Sequence, residues 1–191
     1  MLINNPQELK TRRKRFLVGI LQYLYKHFKY ISGRLISLFS GAGGFDLGFE
    51  NVGFNVLWAN EYDKDIWKTY RQNHPRTYLS QRSILDVDST EIPSCDGLIG
   101  GPPCQSWSSA GSRRGIDDPR GKLFFEYIRV IRDKKPKFFV AENVKGILNK
   151  KNVEAFENIK QQLRDTGYRI YCKLLNSYHY DSNHHLEPNL Q

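Results

Sequence analysis

Cysteine is scarce in this chain, which has only Cys95, Cys104 and Cys172. Their spacing is too wide for a CxxC metal or redox pair, so no metal site is expected on them. An odd count with no secretory signal fits a reducing cytosol rather than a disulfide framework. Long apolar runs are missing too. The most apolar stretch, Phe16 to Ile31, is broken by Gln22, Lys26, His27 and Lys29. It is too short and too polar to span a bilayer, and it lacks the clean core and small-residue cleavage site of a signal peptide. Repeats and low-complexity tracts are absent. Acidic residues are nearly missing from positions 1–34, which hold one of the 20 Asp/Glu but 8 of the 29 Lys/Arg. These positions carry +7 of the net +9, and the other 157 residues only +2. The basic balance therefore says little about nucleic-acid binding by the body of the protein.

That basic segment, residues 1–33, is read as an amphipathic leader headed by Lys10, Arg12, Arg13, Lys14 and Arg15. A surface helix packed on the domain is favoured over an electrostatic DNA anchor. The whole chain of 191 residues, 39% hydrophobic and 26% charged, suits one soluble domain able to bury a core without staples.

From Arg34 onward short apolar runs alternate with helical patterns. Strands are expected at Leu35–Phe39, Asn55–Ala59, Gly97–Gly100, Phe138–Ala141 and Tyr168–Leu175. Helices are expected at Phe45–Val52, Asp65–Asn73, Leu123–Arg132 and Val153–Thr166, the last stopped by Gly167. The alternation implies an α/β fold, a parallel sheet covered by helices on both faces. Such sheets bind ligands at the carboxyl ends of their strands, where the unusual residues of this chain fall.

Phe39-Ser40-Gly41-Ala42-Gly43-Gly44-Phe45 follows the first strand and opens a helix. Its glycines allow close backbone approach to a ligand. Glu61 stands twenty residues beyond Gly41, at the end of the second strand, where a carboxylate can accept both hydroxyls of a ribose. Tyr62 can stack on an adenine. The spacing is not GxGxxG and no pyrophosphate loop follows, so the pattern points to a nucleoside cofactor, with a plain Gly-rich turn as the alternative.

Gly100-Gly101-Pro102-Pro103-Cys104-Gln105 lies just past the strand at Gly97–Gly100. The two prolines fix the backbone and present Cys104 at the cleft; Cys95 and Cys172 read as small buried hydrophobes. Glu142-Asn143-Val144 ends the strand at Phe138–Ala141 and brings a carboxyl to the same edge. A thiolate beside an acid that can hold a proton suits attack on a heteroaromatic ring whose nitrogen gains charge.

These segments resemble the motifs of the DNA (cytosine-5) methyltransferase family. FSGAGGFDLGFE at Phe39–Glu50 is similar to its cofactor loop, NEYD at Asn60–Asp63 to its ribose and adenine contacts, GGPPCQSWSSAG at Gly100–Gly111 to its catalytic loop, and ENVKG at Glu142–Gly146 to its target-base motif. The likeness runs from about Arg34 to Asn176, and RGIDDPRGKLFFEYIR at Arg114–Arg129 looks most like the bacterial restriction-modification branch that methylates GGCC.

The resemblance implies a Rossmann-like methyltransferase sheet in a bacterial, cytoplasmic protein acting on double-stranded DNA. S-adenosyl-L-methionine is expected across Phe39, Ser40, Gly41, Ala42, Gly43, Gly44, Glu61, Tyr62, Ser83, Ile84 and Leu123. It further implies that a cytosine is flipped out of the duplex, that Cys104 attacks its C6 while Glu142 holds N3, and that C5 takes the methyl group before losing its proton and releasing Cys104. Pro103 and Asn143 would shape that pocket.

Two departures stand out. The family's usual adenine-side Asp aligns with Ser83, and Asp86 follows three residues later, so weakened cofactor affinity is expected. Beyond Asn176 the family continues to an arginine pair and a recognition domain, whereas Ser177–Gln191 reads as a divergent tail without arginine. The expected organisation is therefore leader 1–33, truncated catalytic domain 34–176 and tail 177–191. The alternatives to an active enzyme are an inactive remnant, one subunit of a split methyltransferase completed by a second polypeptide, or an RNA-directed member of the same family.

Overall fold

The computed structural model describes residues 32–103 and 119–175. Nearly all of the expected leader, Cys104 and the tail lie outside the described residues.

Five strands form one parallel sheet: β1 (Arg34–Leu38), β2 (Asn55–Asn60), β3 (Tyr78–Ser80), β4 (Gly97–Gly100) and β5 (Phe138–Ala141). Among the described residues four α-helices accompany them: α1 (Gly44–Glu50), α2 (Lys64–Asn73), α3 (Pro119–Lys134) and, after β5, α4 (Val153–Asp165). The spatial order is β3-β2-β1-β4-β5. The chain builds outward from β1 to one side, then crosses and builds outward on the other. The switch lies between β1 and β4, where the loops after the two strands diverge and leave a crevice.

Burial explains why the central strands read as continuous apolar runs. Leu35 to Leu38 are all buried, as is the whole of β4, because helices cover both faces. On one face Ile36, Leu38, Trp58 and Leu98 pack with Phe124, Tyr127, Ile128 and Ile131 of α3 and Ile159 and Leu163 of α4. On the other, Leu35, Val56 and Ile99 pack with Phe49 of α1 and with Phe54, and Ala59 and Leu79 with Tyr70 of α2. The β1–β2 register slips between Leu35 and Ile36, so that Leu35 faces Val56 but Ile36 faces Trp58. That irregularity inserts Leu57 and re-aims the end of β2.

The expected strands and helices before residue 168 are present with ends shifted by a few residues. One strand, β3, has only three residues and no apolar run to announce it. The expected strand at Tyr168–Leu175 is a correction, because that segment has no strand structure. Tyr168 and Ile170 pack on the α3/α4-side core while Arg169 and Tyr171 are exposed. Only Tyr168 to Tyr171 alternate, because Tyr168 and Ile170 lie over a face of the sheet; Cys172, Lys173 and Leu174 are all exposed. Tyr168 sets its ring edge-on to Phe139, 5.3 Å between centroids, and its hydroxyl donates to the Pro136 carbonyl.

Candidate active site

The described residues expected at the site all come from segments that follow β1 to β5 or, for Leu123, from α3. After β1 the backbone turns sharply: Phe39 has φ of 55°, Gly41 54° and Gly43 80°. A left-handed conformation at a residue as bulky as Phe39 costs about 1–2 kcal/mol, so the surroundings must hold it. Ser40 donates its N–H to the Asn60 carbonyl (3.1 Å), which ties the turn to the end of β2.

Glu61 is fixed from four directions. Its N–H donates to the Ser80 carbonyl (3.1 Å), and its carbonyl accepts from Trp67 Nε1 (2.9 Å). Its Oε2 accepts the Gly41 N–H and its Oε1 the Asp63 N–H, both at 2.8 Å. Each carboxylate oxygen keeps a lone pair for another donor. Tyr62 beside it is 69% exposed, so its ring is free to stack. Asn60 sends its amide to the carbonyls of Ser80 (3.3 Å) and Arg82 (2.8 Å), fixing the turn after β3. There Ser83 caps a short 3-10 turn by accepting the Leu85 N–H (3.3 Å), while Asp86 is exposed. The Ile84 side chain is buried in the core, and Leu123 and Phe39 border the same cluster.

The other half of the edge follows β4 and β5. Glu142 donates its N–H to the Gly100 carbonyl (2.9 Å), continuing the ladder past Ala141. A Cβ at Gly101 would lie 3.3 Å from Glu142 Oε2, so the glycine leaves room for that carboxylate. Asn143 donates its amide to the Pro102 carbonyl (2.9 Å) and accepts the Val144 N–H on Oδ1 (2.9 Å). Beneath them the buried Tyr127 donates its hydroxyl to the Val140 carbonyl (3.0 Å), and burial lifts its pKa well above the usual value of 10.0. The structure thus brings Glu142, Asn143, Gly101, Pro102 and Pro103 to one edge; Cys104, next in sequence, lies outside the described residues.

Several participants were not anticipated from sequence. Asp46 of α1 is completely buried between two donors, Ser37 Oγ and Tyr70 hydroxyl, each at 2.6 Å. Its carboxyl is raised above the usual 3.8, chiefly by burial, with both hydrogen bonds pulling it back. At the end of α2, Asn73 donates its amide to the Ala42 carbonyl and His74 bridges the Gly43 carbonyl and the Glu50 carboxylate, all at 2.9 Å. On the opposite face, Arg129 of α3 donates to the Val87 carbonyl (3.0 Å) and to Ser89 Oγ, holding the segment after β3 against the helix. No local pattern announces these pairs, whose partners lie 9 to 42 residues apart.

Among the described residues no cluster of three or more His, Cys, Asp or Glu is placed to hold a metal, and no helix is long and apolar enough to cross a membrane. Cys95 is half-buried, and burial pushes its thiol up to about 11, consistent with an inert side chain, whereas Cys172 is exposed and not the buried hydrophobe expected.

Fold and edge together define a Rossmann-like α/β methyltransferase domain. The C-5 cytosine-specific DNA methylase profile matches residues 33–185, and the chain belongs to that family. It is 58% identical over 147 residues to the Type II methyltransferase M.FnuDI of Fusobacterium nucleatum, covering 77% of this chain and 42% of that protein. It is 51% identical over 148 residues to the Type II methyltransferase M.NgoPII of Neisseria gonorrhoeae, covering 77% and 43%. In three dimensions it resembles a prophage-encoded E. coli protein described as a DNA modification methyltransferase, with a TM-score of 0.59, 33% identity, and coverage of 69% of this chain and 38% of that one. The chain thus spans less than half the length of these relatives.

Proposed function

We propose that the chain carries the cofactor site and the reacting groups of a DNA (cytosine-5) methyltransferase of the restriction-modification kind. The observation that carries this reading is the shared sheet edge: the Gly41–Glu61 pair lies at one side of the switch and Glu142, tied in by the Gly100 carbonyl, at the other. The residues present fit a nucleoside cofactor. The space where a Gly41 Cβ would point is open to 4 Å, and Glu61 retains acceptor capacity for ribose hydroxyls. Phe39 to Gly44, Glu61, Tyr62, Ser83, Ile84 and Leu123 are the proposed binding residues.

S-adenosyl-L-methionine supplies the activated methyl group when bound. The chain's own residues do the rest. The Cys104 thiolate forms a bond to C6 of a cytosine flipped from the duplex, while Glu142 holds a proton at N3 to absorb the developing charge. C5 becomes nucleophilic and takes the methyl group. Loss of the C5 proton and departure of the thiolate restore the ring. Pro103 and Asn143 set the distance between the two reacting groups. GGCC is the proposed target, on the likeness of Arg114–Arg129 to that branch.

The coverage of under half of the relatives favours a second element in this reading: recognition of DNA sequence is supplied by polypeptide beyond these residues. Calorimetric titration of the chain with S-adenosyl-L-methionine tests the cofactor site. Saturable binding that falls at least about tenfold in Glu61→Ala is expected from the loss of hydrogen bonds to a charged group. A folded chain that binds none overturns the reading.

A further inference from the structure

We propose that Asn73 and His74 are positioning residues for the Gly-rich loop, acting from behind to hold it in the shape that receives S-adenosyl-L-methionine; this rests on the cofactor reading above. The loop has few hydrogen bonds of its own. Within Phe39–Gly43 the internal bond is Gly43 N–H to the Ser40 carbonyl (3.0 Å), and three of the five residues have positive φ. Its shape is imposed from outside: Asn60 and Glu61 at the end of β2 hold one side, and one face of α2 with its C-cap His74 holds the back. Tyr70, Asn73 and His74 are spaced i, i+3, i+4, so all three point the same way.

Asn73 takes the Ala42 carbonyl and His74 Nε2 the Gly43 carbonyl. A carbonyl brings no proton, so Nε2 must be the protonated donor. The His74 side chain is fully buried and immobilised on every side. Its ring stacks on Tyr70 at 4.7 Å, its Nδ1 is hydrogen-bonded to the Glu50 carboxylate at 2.9 Å, and Tyr70 is pinned through its hydroxyl to Asp46, which also takes the Ser37 hydroxyl of β1. The chain of contacts closes on itself: β1, α1, α2, loop, and α1 again. Such a fully satisfied buried network specifies one geometry, because every alternative leaves a buried polar group unpaired.

The two loop glycines separate the braced side from the open side. A Cβ at Gly43 would run into His74 Nε2 and Cδ2, whereas a Cβ at Gly41 would meet nothing within 4 Å. His74 fills the space behind the loop, and the space in front, beside Glu61, is left for the ligand. Neither Asn73 nor His74 reaches the open side, so their effect on the cofactor passes through the Ala42 and Gly43 carbonyls.

The test measures S-adenosyl-L-methionine and S-adenosylhomocysteine affinity by calorimetry, with thermal unfolding in parallel, for the native chain and for His74→Leu, His74→Gln and Asn73→Ala. His74→Leu removes the donor and is expected to weaken both ligands about tenfold or more, the worth of a buried hydrogen bond left unmade. His74→Gln restores an N–H near the Nε2 position and should recover most of that loss. Asn73 is only half-buried, so Asn73→Ala keeps the fold and should weaken binding several-fold at little change in melting temperature. Native affinity in both His74→Leu and Asn73→Ala overturns the proposal, as does loss in His74→Gln equal to that in His74→Leu. If His74→Leu does not fold, Asn73→Ala and His74→Gln decide alone. A folded native chain that binds neither ligand overturns the cofactor reading itself, and the proposal with it.

Discussion

Asn143 donates its side-chain amide to the Pro102 carbonyl at 2.9 Å, which ties the loop leading to Cys104 to the loop carrying Glu142. The two loops come from different strands and are otherwise joined by the bond from Glu142 N–H to the Gly100 carbonyl. Thiol and acid need a fixed separation to act on one ring, and a misplacement of an ångström costs about a hundredfold in rate. Asn143→Ala is therefore expected to slow methyl transfer about 10–100-fold while leaving S-adenosyl-L-methionine affinity unchanged. Paired rate and binding measurements check this; equal loss in both would assign Asn143 to the cofactor instead.

Gly41 and Gly43 should respond differently to alanine. Both have positive φ, which costs a side chain about 1–2 kcal/mol. At Gly43 the added methyl also collides with the buried His74 ring, whereas at Gly41 it enters open space. Gly43→Ala is expected to lower the melting temperature by several degrees more than Gly41→Ala. Gly41→Ala is expected to remain folded and lose cofactor affinity, as thermal unfolding and titration on the same two variants will show.

Asp46 links stability to pH. Burial holds its carboxyl above the usual 3.8, so just above that pH the folded chain keeps a proton that the unfolded chain has released. Stability should fall as pH rises from about 4 through the folded-state pKa, then level off. Asp96 works the other way and lower down. The Arg34 backbone N–H and the Lys137 ammonium hold it at about 2, so its contribution is present above pH 4 and lost on acidification towards 2. Asp46→Asn should flatten the higher window alone. Asp46→Ala should cost about 2–3 kcal/mol by leaving the Ser37 and Tyr70 hydroxyls without an acceptor. Unfolding followed from about pH 2 to 8 tests both.

Ser83 caps its turn with a neutral hydroxyl where the family's Asp would add a charge-assisted acceptor. Ser83→Asp is expected to tighten S-adenosyl-L-methionine binding about tenfold. An unchanged dissociation constant would mean that the turn, rather than the charge, supplies what the cofactor needs.

The elements that sequence revealed are those whose physics is local. The apolar runs of β1 and β4, the stop before Gly167 and the Gly-rich turn after β1 depend on neighbours in the chain, as does the placing of Glu61 at a strand end. What escaped detection depends on distant partners. Asp46 stands in the first turn of α1, and only the fold brings Tyr70 and Ser37 to it. His74 follows a helix and precedes Pro75, with nothing local to show that it backs the loop 31 residues earlier. At Tyr168–Leu175 a strand was expected, and the segment instead lies against the sheet through Tyr168 and Ile170, with no ladder beside it.

The measurement closest to the central claim is transfer of labelled methyl from S-adenosyl-L-methionine to double-stranded DNA. It would use this chain alone, this chain mixed with the portion of M.FnuDI that it does not match, and the Cys104→Ser variant in both settings. The account predicts label at C5 of cytosine in at least the mixture, abolished by Cys104→Ser because a hydroxyl is far less ionised than a thiol. Label that survives Cys104→Ser, or none in either setting from a chain that folds and binds the cofactor, would contradict it.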